Sequence, residues 1–191
     1  MPTTLDTLQY TVEDYLALPE SGPRYELIEG ELHMTPAPAT RHQRISRNLE
    51  YLLHSYAIAH ENGEVFYAPF DVFLGEYDVV QPDIVWVSRK RAELVSARGL
   101  EGAPDLVVEI LSPATALLDL HTKRKLYQRT GVRELWIVDP TDDSITVHHL
   151  ATGKDSERFE EDAVVESTIL PDFRPALSRI FPRREAREAG E

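Results

Sequence analysis

The sequence predicts a mixed α/β domain, with helices flanking a sheet that holds both antiparallel and parallel strands, and three observations carry that expectation. Ile45, Leu49, Leu52, Leu53 and Tyr56 recur at steps of three and four, the period of an amphipathic helix. Val65 to Leu74 and Ile84 to Val87 are rich in β-branched and aromatic residues, as the strands of a meander would be. Asp105 to Leu111, Asp119 to Thr130 and Leu135 to Val138 then read strand, helix, strand, the order of a parallel crossover.

From the N-terminus, Thr11 and Asp14 have the spacing of a capping arrangement, and Val12, Tyr15, Leu16 and Leu18 give a short first helix its apolar face. After the breaker Ser21-Gly22-Pro23, Tyr25, Leu27 and Leu32 alternate with polar residues around Glu29-Gly30, which predicts a tight β-hairpin. The proline-containing loop from Thr35 to Thr40 ends it. The long helix runs from Arg41 to about Glu61 and closes near Asn62-Gly63. Gly75 to Asp78 make a turn, and Arg89 to Gly99 fit a short helix. Asp105 to Leu111 is nearly continuously apolar, as a strand buried on both faces would be, with Glu109 as the interruption. Gly131 stops the next helix and Asp139-Pro140 the next strand. Ile145 to Leu150 and Val164 to Leu170 read as later strands and Pro175 to Phe181 as a closing helix. No repeat or linker divides residues 1–182, which are expected to form one domain, with 183–191 as a charged, frayed tail.

Composition narrows the chemistry. The 191 residues are 42% hydrophobic and 28% charged, with no cysteine. Folding at this length buries roughly 70% of the surface exposed by the unfolded chain, so a core forms without disulfides or structural metal. Without cysteine there is no thiol nucleophile, thiolate zinc site or redox pair, and a reducing compartment, the cytoplasm, is expected. Met1 to Tyr10 lacks a basic segment followed by an apolar stretch, and no run approaches the roughly 18 apolar residues that cross a bilayer. Neither secretion nor a membrane partner is expected.

Twenty Lys and Arg against 33 Asp and Glu give a net charge of −13, which works against a nucleic-acid partner. Clustered cations, or carboxylates that hold divalent ions, would offset it. Cations do cluster: His121, Lys123, Arg124, Lys125, Arg129 and Arg133 run without an acid between them, and Arg41, Arg44 and Arg47 form a smaller stripe.

The chain lacks GxSxG, GxxxxGK[ST] and GxGxxG, and His60-Glu61-Asn62-Gly63-Glu64 fails HExxH. What remains is a set of acids in strands. Charges rarely sit inside apolar strands without a partner or metal. Asp105 and Glu109 share a strand face but stand roughly 13 Å apart, too far to ligate one ion. Asp83 and Glu109 can do so if their strands are neighbours and the two acids lie level. Two carboxylates are enough to start a Mg²⁺ site that activates water against a phosphodiester. A lysine nearby would orient or deprotonate that water or neutralise developing charge. The position two after Glu109 is Leu111, so the substitute is Lys123, which shares a helical face with Asp119 and Tyr127.

The order Tyr25-Glu26-Leu27-Ile28-Glu29-Gly30, Gln81-Pro82-Asp83, Pro104-Asp105-Leu106-Val107-Val108-Glu109-Ile110-Leu111-Ser112-Pro113, Asp119 with Lys123 and Tyr127, then Trp136-Ile137-Val138-Asp139-Pro140 resembles the Uma-type family of putative restriction endonucleases, in the PD-(D/E)XK nuclease superfamily. The resemblance spans about Tyr10 to Phe181. It implies a restriction-endonuclease-like αβββαβ core with a mixed central sheet, and metal-dependent hydrolysis of DNA. By motif it makes Asp83 and Glu109 ligands for Mg²⁺, with Mn²⁺ as a substitute. Glu26 becomes an auxiliary acid and Lys123 the displaced catalytic lysine, with Lys125 as its competitor.

Each residue also has a structural reading. Asp83 could cap a turn, Glu109 could pair with a buried arginine, Glu26 could be an exposed hairpin residue, and Lys123 could belong to a solvated helix face. Tyr127 reads as core packing. Gln81 is only adjacent to the motif. His148 and His149 read as neighbours on opposite strand faces, and His42, His54 and His60 as surface residues of the long helix. The expectation is a Mg²⁺-dependent endonuclease acting on double-stranded DNA as a homodimer, with Arg41, Arg44, Lys125 and Arg129 as DNA contacts. The alternative is a catalytically inert module of the same fold that binds protein or nucleic acid. Carboxylate-pair glycoside hydrolysis fits less well, since the chain has few aromatic residues to stack sugars.

Overall fold

Thr11 Oγ1 accepts a hydrogen bond from the Asp14 amide, and the Asp14 carboxylate accepts one from the Thr11 amide at 2.8 Å, a reciprocal cap that starts helix α1 (Val12–Leu16). The computed structural model describes residues 9–19, 21–113 and 118–183, at 118–120 by backbone alone. The first eight residues of the opening segment, the Asp119 side chain and the tail beyond Arg183 lie outside that description.

Strands β1 (Arg24–Ile28) and β2 (Glu31–Thr35) form the predicted hairpin. Its two turn residues, Glu29 and Gly30, both have positive φ, 53° and 81°, as a two-residue turn matched to strand twist requires. A Cβ on Gly30 would lie 2.7 Å from Gln9 Cβ, so glycine is required there twice over. Helix α2 (Thr40–His60) buries Ile45, Leu49, Leu53 and Tyr56 on one stripe and ends at Glu61, which adopts φ 48°.

The remaining strands are β3 (Gly63–Tyr67), β4 (Val72–Gly75), β5 (Asp78–Val80), β6 (Ile84–Ser88), β7 (Val95–Ser96), β8 (Gly99–Leu100), β9 (Leu106–Ile110), β10 (Glu134–Asp139), β11 (Ser144–His148) and β12 (Glu157–Phe159). The central sheet has the order β12-β11-β10-β9-β6-β3. Strands β3, β6 and β9 are antiparallel neighbours, and β10 lies parallel to β9 after the crossover through Leu118–Lys123 and helix α3 (Arg124–Thr130). The succession α2, β3, β6, β9, α3, β10 is the αβββαβ core with a mixed sheet. A second six-stranded sheet, β2-β1-β5-β4-β8-β7, joins the hairpin to strands inserted between those of the core.

Three local expectations are corrected. Val65 to Leu74 is not one strand of a meander: Pro69 has no amide to offer a ladder, and the chain breaks there to send β3 to the central sheet and β4 to the smaller one. Arg89–Leu94 is a tight 3₁₀ turn followed by the short β7–β8 pair, not a helix to Gly99. Val164 to Leu170 makes only the isolated bridge from Val164 to Ala176, and the edge strand is β12, whose Glu-Arg-Phe sequence carries little apolar signal. The closing helix α4 is a single turn, Leu177–Ile180.

The two faces of the central sheet bury different partners. Ile84, Trp86, Val108 and Trp136 pack beneath α2 and the segment from Val165 to Phe181. Val85, Val87, Val107 and Ile137 pack against Leu126 and Tyr127 of α3 and against Ile28, Val72 and Val80 of the smaller sheet. Glu134, fully buried, fixes the returning chain. Its carboxylate accepts from Trp136 Nε1 at 2.8 Å, Ser167 Oγ at 2.7 Å and both Thr168 donors. At the far end of β9, Asp105 takes the Ser88 amide at 2.9 Å and pairs with Arg133 at 3.3 Å, so that acid is committed to holding strand ends.

His148, at the end of β11, lies 2.6 Å from Ser156 Oγ through Nδ1. Burial, with the nearby charges of Arg124 and His149, pushes its pKa down to about 4 from 6.5. The unfolded chain therefore takes up a proton between those values that the folded chain excludes, and stability falls as pH drops through that window. Between pH 7 and pH 4 the wild type should lose on the order of 3 kcal/mol more than His148→Gln in urea unfolding. Parallel pH dependences for the two proteins would contradict this.

Candidate active site

Register brings the strand acids together. Ile84 pairs with Val108 across antiparallel β6 and β9, so one residue further Asp83 stands opposite Glu109. Both continue the face that carries Val85 and Val107, since alternate residues of a strand point the same way. Directly opposed side chains in such a pair have Cβ atoms about 4.5–5.5 Å apart. Asp83 Oδ2 accepts the Ile110 amide at 2.7 Å, which turns its carboxylate toward β9.

Helix α3 and the hairpin close around this pair. Lys123, 4% exposed, places Nζ 2.9 Å from Glu26 Oε1 and 3.3 Å from Glu109 Oε1. Tyr127, one turn on, donates its hydroxyl to the same Glu109 oxygen. Glu26 is held from the other side by the Gln81 amide at 2.8 Å. The sheet end, the hairpin and α2 enclose an open cleft of about 370 Å³, lined by Glu26, Gln81, Asp83, Glu109 and Lys123 among others.

Glu26 is therefore buried, not an exposed hairpin residue, and Lys123 is not on a solvated face. Tyr127 packs in the core and also bonds Glu109, so its two readings coexist. Gln81 does more than neighbour the motif. Its Nε2 donates to Asp71 Oδ1 at 2.8 Å, and Tyr15 of α1 donates to the same oxygen at 3.0 Å. Burial and the Asp71 charge push the Tyr15 hydroxyl far above the ordinary phenol range, so it remains a donor. The first helix thus buttresses the residue whose amide holds Glu26.

His42 is the residue the sequence reading misplaced. It is 8% exposed and sets Nε2 3.3 Å from Asp83 Oδ1. Its position three before Ile45 places it on the apolar stripe of α2, a signal that could have found it. His54 and His60 are exposed as expected.

The expected DNA contacts are dispersed. Arg41 donates to the Pro140 carbonyl at 3.2 Å and pairs with Asp143, while Arg129 pairs with Glu29 and Asp78 and ties α3 to the hairpin turn. Arg44 is half-buried and Lys125 exposed, and the arginines lining the cleft are instead Arg24 and Arg47.

The donor set suits a hard cation. Glu26 and Glu109 meet at one lysine, and Asp83 stands level with Glu109 on the neighbouring strand, all three lining the cleft. Among the described residues no group of three or more His, Cys, Asp or Glu side chains is placed to hold a metal ion, so only the pair Asp83 and Glu109 is offered. Mg²⁺ characteristically needs only one or two carboxylates, keeping waters and taking substrate phosphate for the rest.

Removing the central cation strands two buried carboxylates. Lys123→Ala should lower the unfolding free energy by about 3–5 kcal/mol, whereas Tyr127→Phe, which removes one hydroxyl, should cost about 1 kcal/mol. Equal losses in urea titration would show that the lysine is not the element balancing this charge.

No curated protein matches the chain. Among solved structures, the crystal structure of a protein described as a putative nuclease belonging to DUF820, from Anabaena variabilis, superposes with a TM-score of 0.77 at 23% identity. The match covers 90% of this chain and 97% of that one, and establishes a shared fold. The family model described as Uma2, putative restriction endonuclease, matches residues 12–179, and the chain belongs to that family.

Proposed function

We propose that this protein is a divalent-metal-dependent endonuclease that hydrolyses DNA phosphodiester bonds. The observation that carries the reading is the level placement of Asp83 and Glu109 on neighbouring strands, beside a buried lysine. Asp83 and Glu109 are the residues that would hold Mg²⁺, or Mn²⁺ in its place. A hard cation supplies Lewis acidity and lowers the pKa of a coordinated water.

The chain's own groups supply the rest. Lys123 presents its ammonium where charge develops on a phosphate held at the strand ends, a role served by fixed donors in a water-poor site. Glu26, anchored by the Gln81 amide, keeps that ammonium facing Glu109. The Ile110 amide and His42 hold the two oxygens of Asp83, so its orientation is set before substrate arrives. Leu111 leaves the strand without a lysine, and Lys123 reaches the same carboxylate from the helix.

Supercoiled plasmid incubated with Mg²⁺ or Mn²⁺ should be cut by the wild type and at least a hundredfold more slowly by Asp83→Ala and Glu109→Ala. Equal rates for all three proteins would remove the assignment. The competing reading, an inert module of the same fold, is favoured by the −13 charge and by Leu111. Calorimetric titration with Mn²⁺ separates the two, because binding that vanishes in both alanine variants belongs only to the metal site. Cutting both strands needs two such sites, so the protein is expected to act as a homodimer, in the cytoplasm. A monomeric mass by light scattering at micromolar concentration would remove the dimer.

A further inference from the structure

A protein of net charge −13 must confine any surface that meets a polyanion. Several of its arginines face carboxylates: Arg41 pairs with Asp143, Arg98 with Glu101, Arg133 with Asp105 and Arg158 with Asp142. Arg47 and Arg179 line one groove together. Both are exposed, and neither has a carboxylate partner among the described residues. The Arg47 guanidinium meets the amide oxygen of its neighbour Asn48 at 3.1 Å.

These two arginines lie on one path. Arg47 lines the active cleft and also a shallow groove on the other side of α2, which it shares with Tyr51, Leu52 and Arg179. That groove continues past Tyr51 to Ser55 and Phe173. Asn48 Nδ2 donates to the Ile180 carbonyl at 3.0 Å, fixing α4, and so Arg179, against α2. Tyr51 is 64% exposed and contributes a flat apolar surface to both stretches. The groove that Arg47 shares with Arg179 has no acid in its lining; Glu50 lies in the cleft, Asp172 at the far end, and Arg174 there is paired with Glu166. From His42 beside Asp83 to Ser55, the helix advances about 20 Å, roughly six steps of a DNA strand at about 3.4 Å each.

We propose that this groove carries the DNA strand flanking the scissile phosphate, with Arg47 and Arg179 on its phosphates and Tyr51 forming the floor between them. The identity of the polyanion rests on the nuclease reading, while the groove rests on its own geometry. Such contacts set register without reading sequence.

The test is fluorescence anisotropy with a labelled 24-base-pair duplex in EDTA, which bars hydrolysis, across 50–300 mM salt. Arg47→Ala/Arg179→Ala should bind at least tenfold more weakly at 100 mM salt, and the slope of log affinity on log salt should shrink by about two, near 0.9 per phosphate contact. Lys154→Ala, an exposed cation on a distant turn, should leave both unchanged. Asp83→Ala, which removes a carboxylate facing the phosphates, should bind the duplex at least as tightly as the wild type in EDTA, which separates failure of the groove from failure of the chemistry. An unaltered urea midpoint in the double variant shows that binding, not folding, was lost. Wild-type affinity and slope in that variant, no duplex binding by the wild type, or tighter binding of an RNA of the same sequence would each overturn the proposal.

Discussion

The ammonium of Lys123 is the constraint around which the rest of the molecule is arranged. Taking one lysine and two glutamates out of water costs several kcal/mol for each ion, and only close mutual pairing offsets that. The three groups come from a hairpin strand, a central strand and a crossover helix, so their meeting fixes the relative position of three elements distant in sequence. Tyr127 and the Gln81 amide occupy further acceptor capacity on the two carboxylates. The charge cluster therefore works as a clamp between the sheets, and also leaves the inner end of the cleft rich in oxygen donors.

The elements that read correctly from the sequence are those whose side-chain pattern and backbone requirements agree. The α2 stripe, the Glu29-Gly30 turn, the Thr11–Asp14 cap and the β9–α3–β10 crossover each carry a periodic or local signal that their surroundings reinforce. The segment from Val65 to Leu74 has strand composition throughout, yet its two halves pair in different sheets, and composition holds no information on pairing partners. Strand β12 was hidden for the opposite reason. Its residues are charged because it is an edge, and only the ladder from Val147 to Glu157 defines it.

The candidate site was legible where an acid interrupts an apolar run. Glu109 inside Val107-Val108 and Ile110 can be buried only with partners, and Lys123, expected as the substitute for a lysine absent at Leu111, is one of them. The acid pattern could not reach His42, which looks like any polar helix residue until its place on the stripe of Ile45 and Leu49 is counted. Nor could it separate Arg41 and Arg129, engaged by carboxylates of the same chain, from Arg47. Whether a surface cation is neutralised depends on contacts formed by residues far away in sequence.

The wall of the cleft opposite α2 comes from β1, β2 and the residue after β5, all in the smaller sheet and none part of the αβββαβ core. The floor that carries Asp83 and Glu109 and the rim of the cleft are thus separate pieces of architecture, joined through Glu26 and through the packing of Ile28, Val72 and Val80 on the central sheet. The rim can lengthen, shorten or change its side chains while Asp83 and Glu109 keep their alignment, so under the proposed function related proteins could diversify the targets they accept without rebuilding the floor of the cleft.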